Sequence, residues 1–168
     1  MEIRRLTPED AKAYWNLRLE ALQMEPLAYG SAAEEYQATT VEETEQRIRD
    51  TSEPSFILGG FDRDTLVGIV TFASDAGLKE RHKGHIRGFY VTAAHRNKGV
   101  GHELLSSLLK MAKEDLLLEQ VLLAVATCQE AAIRMYRNFG FEVYGTEPRA
   151  LKVESNYIDE HQMILRVR

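Results

Sequence analysis

Apolar positions along this chain change period several times, and each change predicts an element. Ile3-Arg4-Arg5-Leu6 reads as a first short strand. Thr7-Pro8-Glu9-Asp10 then supplies a helix start, with Thr7 as cap, Pro8 at the first helical position and acids in the first turn. Tyr14, Leu17, Ala21 and Leu22 recur at helical spacing until Pro26 ends the pattern. Ser31-x-x-Glu34 and Thr40-x-x-Glu43 both match a capping box, predicting two shorter helices. Phe56 to Phe61 and Leu66 to Phe72, separated by Asp62-Arg63-Asp64, read as a hairpin.

A loop from Asp75 to Gly84 precedes a predicted strand, Ile86 to Val91. From Val100, the residues Leu104, Leu105, Leu108, Leu109, Met111 and Ala112 mark an amphipathic helix. Leu117 to Ala126, interrupted only by Glu119 and Gln120, reads as a buried strand. Ala131, Ala132, Met135, Tyr136 and Phe139 predict a helix stopped by Gly140, and Phe141 to Tyr144 and Tyr157 to Val167 predict two last strands. No linker or low-complexity stretch intervenes. The order implies one mixed α/β domain over residues 1–168, built in layers.

Composition narrows the class. With one cysteine, Cys128, neither a disulfide framework nor a multi-thiolate zinc site is expected. The lack of a membrane-length apolar run and of an apolar leader predicts a soluble, cytoplasmic protein with no membrane partner. The net charge of −5 argues against nucleic acid. That total hides two local fields. Residues 1–64 carry 7 basic and 14 acidic side chains, while residues 79–98 carry six Lys and Arg against Glu80 alone. The basic block is either a solvated loop or an anion site.

The block runs into His95-Arg96-Asn97-Lys98-Gly99-Val100-Gly101, between a predicted strand and a predicted helix. A helix start exposes unpaired N–H groups and positive potential, and glycines let a phosphate approach them closely. The segment is not a P-loop, because His102 and Glu103 follow Gly101, and Leu104 stands where a dinucleotide fingerprint needs glycine. Arg96-x-x-Gly99-x-Gly101 remains, followed by Gln129-x-x-Ala132-x-x-x-Tyr136-x-x-x-Gly140-Phe141.

Together, in this order, the two motifs resemble the GNAT superfamily of acetyl-CoA-dependent N-acetyltransferases, over about Leu66 to Phe141. The resemblance implies an α/β fold with a mixed, mostly antiparallel central sheet, splayed central strands and flanking helices. Those central strands should be the one ending at Val91 and the one from Leu118 to Ala126. It implies acetyl-CoA as cosubstrate and no metal. The pantetheine arm should meet backbone at Phe89, Tyr90 and Val91, and Gln129 should contact the arm. The pyrophosphate should rest on the N–H groups of Arg96, Asn97, Lys98, Gly99, Val100, Gly101 and His102. Tyr136 should be the general acid to the departing thiolate. A core aromatic whose hydroxyl finds one partner is the alternative for Tyr136.

Some relatives carry a glutamate base on the strand that here reads Ile86-Arg87-Gly88-Phe89-Tyr90-Val91, without a carboxylate. His85, read as a loop residue, and Glu160 and His161 are the candidate substitutes. Cys128 reads as a small buried residue, since no pattern supplies it a base. Glu34, Glu35, Glu42, Glu43 and Glu45 are either an acidic rim favouring a cationic amine or solvated helix faces. The acceptor should be a small-molecule or peptide amine. A non-catalytic acyl-CoA sensor is the second reading, and a homodimer is left open.

Overall fold

The computed structural model describes Met1–Arg168. Its elements are β1 (Glu2–Arg5), α1 (Ala11–Met24), α2 (Ala33–Gln37), α3 (Val41–Asp50), β2 (Phe56–Asp62), β3 (Thr65–Ser74), β4 (Lys83–Val91), α4 (Val100–Ala112), β5 (Gln120–Ala126), α5 (Glu130–Asn138), β6 (Glu142–Val153) and β7 (Asn156–Arg166). The seven strands form one sheet in the order β1-β2-β3-β4-β5-β7-β6. Every pairing is antiparallel except β4 with β5, so the expected mixed, mostly antiparallel sheet with flanking helices is present.

Two apolar clusters cover the two faces. On one, α4 contributes Leu104, Leu105 and Leu108, all fully buried, and packs with α5 over β3, β4 and β5. On the other, Tyr14, Leu17 and Ala21 of α1 and Ile48 of α3 cover Ile57, Ile69 and Tyr90. Each buried Leu or Ile stabilises the fold by roughly 1.5–3 kcal/mol relative to its exposed state, which makes these stripes the main driving force for layering.

Local chemistry sets the helix starts. Thr40 accepts from the Glu43 N–H at 3.0 Å while Glu43 accepts from the Thr40 N–H at 2.8 Å, so that capping box forms. At the first helix, Asp10 accepts from the Thr7 N–H at 2.8 Å and pairs with Arg4, and Pro8–Asp10 makes a short 3₁₀ turn before α1. The box expected at Ser31 does not form. Helix α2 starts two residues later, with Ala32 as a cap that has no side-chain acceptor.

Two features of β4 matter for the site. Only Lys83, Gly84 and His85 face β5, opposite Gln120, Val121 and Leu122, and beyond them the two strands diverge. This is the splay anticipated between them. On its other edge, Tyr90 pairs with Ile69 and Arg87 with Thr71, so Gly88 and Phe89 share the place opposite Val70. Gly88, at φ +60°, supplies this bulge, in a region that favours glycine. The bulge turns Phe89 toward α5 and Tyr90 toward α1, where their rings lie in opposite apolar layers.

Candidate active site

The splay opens a cleft of about 850 Å³ through the sheet. Beta4 and β5 form its sides, the starts of α4 and α5 its base, and α1, the segment after it, β6 and β7 its far rim. A volume of this size suits a cofactor-sized ligand. Phe89, Tyr90, Val91, Arg96, Asn97, Gly99, Gly101, His102, Gln129 and Tyr136 all line it.

Lys98 and Val100 do not line it. Lys98 is exposed, and the Val100 side chain is buried in the core beside Gly60 and Gly68. What these two residues offer is backbone. The N–H groups of Asn97 through His102 have no acceptor within the protein, whereas that of Glu103 is taken by the Gly99 carbonyl and that of Arg96 by the Ala93 carbonyl. The run of available donors therefore begins at Asn97, one residue later than the sequence suggested. Asn97 and Gly99, at φ +59° and +85°, bend the chain so that successive N–H groups can converge on one region. A Cβ on Gly99 would meet nothing within 4 Å.

The charge of Arg96 points elsewhere than expected. Its Nη1 pairs with Glu25 at 2.8 Å, its Nε donates to the Val91 carbonyl at 3.1 Å, and its guanidinium lies 5.5 Å from the centre of the Tyr90 ring. A partly exposed pair of this kind contributes about 0–1 kcal/mol, so its effect is to hold the end of α1 against the end of β4. Tyr90 in turn donates to Glu20 at 2.9 Å. Burial, then that bond to a carboxylate, pushes its phenol up to about 12.

Tyr136 projects from α5 with 6% of its surface exposed, between the rings of Phe89 at 6.2 Å and Phe141 at 5.7 Å. Its hydroxyl makes no hydrogen bond within the protein, unlike the core tyrosine of the alternative reading, and burial raises its pKa. The hydroxyl of Tyr29, raised by the same cause, donates to the Phe89 carbonyl at 2.8 Å.

The chain matches the family model of the GNAT acetyltransferase domain over residues 3–162. It belongs to the GNAT acetyltransferase family. The L-amino acid N-acetyltransferase AaaT of Escherichia coli is 24% identical over 119 residues, covering 71% of this chain and 72% of that protein. Among solved structures, a GNAT-family acetyltransferase from Streptococcus pneumoniae superposes with a TM-score of 0.90 at 25% identity, over 99% of both chains. The fold of yncA from Salmonella typhimurium, solved with its cofactor acetyl-CoA, matches with a TM-score of 0.85 at 19% identity, over 100% of this chain and 94% of that one.

In this GNAT domain, the groups weighed as bases separate clearly. His85 belongs to β4 rather than to a loop, lines the cleft, and its Nε2 stands 3.0 Å from the Asp75 carboxylate. Glu160 also lines the cleft, and burial, reinforced by Glu147, raises its pKa. His161 does not line it and pairs with Thr146. Cys128 is exposed outside the cleft instead of buried, because it falls in the turn between β5 and α5. None of Glu34, Glu35, Glu42, Glu43 and Glu45 reaches the cleft; Glu43 caps α3 and Glu45 pairs with Arg49.

Several cleft residues carried no signal in the sequence, namely Arg18, Glu25, Tyr29 and Gly88. Three of them lie in or just after α1, where an Arg or Glu within a helical pattern reads as solvated surface. No group of three or more His, Cys, Asp or Glu side chains clusters as a metal site would require. No helix is long and apolar enough to cross a membrane.

Proposed function

We propose that this GNAT protein moves the acetyl group of acetyl-CoA directly to a primary amine of a small molecule or peptide, with Tyr136 as general acid. The observation that carries this reading is the Tyr136 hydroxyl, which lines the cleft beside the β4 bulge with no partner of its own. When bound, acetyl-CoA supplies an acetyl thioester, whose C–S bond breaks as the amine forms a C–N bond.

Six successive backbone N–H groups, Asn97 to His102, would hold its pyrophosphate, with the positive end of α4 behind them. The β4 edge beyond His85, freed from β5, would receive the pantetheine arm as an added strand. Two of its carbonyls already accept side-chain donors, Phe89 from Tyr29 and Val91 from Arg96. A carbonyl has two lone pairs, so these bonds orient the edge without closing it. Gln129 lines the cleft at the start of α5 and would contact the arm.

Tyr136 gives its proton to the departing sulfur. A thiol in water titrates near 8.5 and tyrosine near 10, and burial moves this tyrosine further up. Transfer is feasible because a thiolate forming in the same dry space is destabilised by the same desolvation. His85, oriented by Asp75, and Glu160 are the groups able to take the amine proton. Positioning both reactants in one cleft can itself lower the barrier by several kcal/mol.

The decisive experiment follows thiol release from acetyl-CoA across a library of amines. Release that requires both an amine and Tyr136 supports the reading. Tight acetyl-CoA binding with no amine-dependent release would leave an acyl-CoA-binding module instead.

A further inference from the structure

The arginines of the cleft fall into two kinds. Arg96 is paired with Glu25, and Arg87 is exposed to water. Arg18 is different: no carboxylate pairs with it, its Nη1 is covered by protein without a hydrogen-bond partner, and the rest of its guanidinium is not so covered in a side chain that lines the cleft. The side chain is held all the same. Its guanidinium lies 4.5 Å from the centre of the Tyr29 ring. It also lies over the β4 bulge, where a Cβ on Gly88 would be 3.8 Å from Nη1. The neighbouring carboxylates on the same side are engaged, Glu20 with the Tyr90 hydroxyl and Glu25 with Arg96.

A guanidinium cannot shed its proton, so one held half-buried at the cleft without a counter-charge calls for an anionic or carbonyl acceptor at its uncovered nitrogens. Its planar fork matches a carboxylate in particular. The donors at Asn97 to His102 lie at the start of α4, whereas Arg18 comes from α1 at the rim of the cleft, so one anion does not need both. We propose that Arg18 receives a carboxylate on the acceptor, so that the acceptor is an amino acid or a short peptide whose own carboxylate comes near its amine. Polyamines and aminoglycosides would leave that guanidinium without a counter-charge. This inference rests on the transfer reading above for the amine, but not for the carboxylate.

The test measures thiol release with acetyl-CoA and a panel of L-amino acids, each beside its carboxamide and its decarboxylated amine, with dipeptides as a separate arm. The best acceptors are expected to bear a carboxylate, with kcat/KM about a hundredfold above that of the matching carboxamide. A dipeptide outperforming its free amino acid would identify the peptide source. In Arg18→Gln the acid-to-carboxamide ratio falls to within about fivefold, mainly through KM, and Arg18→Lys gives an intermediate ratio. Equal rates for acid and carboxamide in the wild-type protein overturn the proposal. So does a parallel loss on every acceptor in both variants. If Arg18→Gln does not fold, the wild-type ratio and Arg18→Lys decide. If no amine releases thiol, the transfer reading fails by itself, and calorimetric titration of the same amino acids onto the wild-type protein and Arg18→Lys settles Arg18. Binding that needs the carboxylate and weakens in the variant sustains the proposal, and no binding to the wild-type protein overturns it.

Discussion

Tyr29 reaches from the segment after α1 to donate its hydroxyl to the backbone carbonyl of Phe89, at 2.8 Å. The bond joins the rim of the cleft after α1 to the bulged stretch of β4 that faces Tyr136. Its removal in Tyr29→Phe leaves the ring stack with Arg18 in place and deletes one hydrogen bond worth about 0.5–1.5 kcal/mol. Urea unfolding should report that loss. Turnover should fall further than this small destabilisation explains, because Phe89 is no longer fixed beside the reacting groups. An unchanged kcat would make the bond purely structural.

Tyr136→Phe keeps the packing against Phe89 and Phe141 and removes only the hydroxyl. Loss of a general acid typically costs about 10²–10⁴-fold in rate, so kcat should drop by about a hundredfold or more. The acetyl-CoA Kd should change by less than about twofold. Burial moves the Tyr136 phenol upward, away from neutral pH, so it stays protonated and should put no alkaline fall on the wild-type rate below about pH 9.5. Turnover that survives the substitution at every pH would remove Tyr136 from the chemistry.

These two residues also mark what the chain discloses before it folds. Tyr136 is legible because it follows a buried strand within a spaced motif that ends at Gly140-Phe141, and the α4 start because glycines and basic residues concentrate there. Strand β4 begins at Lys83, earlier than its apolar run, because pairing with β3 carries polar residues such as His85 into the sheet. Strands β6 and β7 are longer than their apolar cores for a similar reason. Their ladder continues to Val153 and Asn156 through mostly exposed residues, where hydrophobic alternation is weak. Arg18 and Tyr29 are illegible because their roles depend on where α1 crosses β4, which no local pattern encodes.

Glu160 offers a stability test with a definite sign. Burial, and then Glu147, raises its pKa in the folded protein. A raised carboxyl favours the folded state fully below its unfolded value near 4.3, and that contribution is lost as pH rises through the folded pKa. At pH 7 the ionised group is therefore a liability, and Glu160→Gln should raise Tm or leave it unchanged. Near pH 3.5 the two proteins should melt together. A variant that melts lower at pH 7 would show that the carboxylate is held by favourable contacts instead.

Gly99 separates the cost of backbone strain from the contribution of the anion cradle. At φ +85° an L-residue is strained, and Gly99→Ala should lose about 1–2 kcal/mol of stability from that alone. No protein atom lies within 4 Å of the added carbon, so crowding within the fold adds nothing. Gly99 lines the cleft that should admit the pyrophosphate, and relaxing the strain would rotate the N–H groups from Asn97 to His102. The acetyl-CoA Kd should accordingly rise at least about tenfold, measured by calorimetry at a temperature where the variant remains folded. Gly99→Asn, which tolerates positive φ better, should recover part of the stability and little of the affinity. If both variants bind acetyl-CoA as the parent does, the start of α4 does not hold the phosphates.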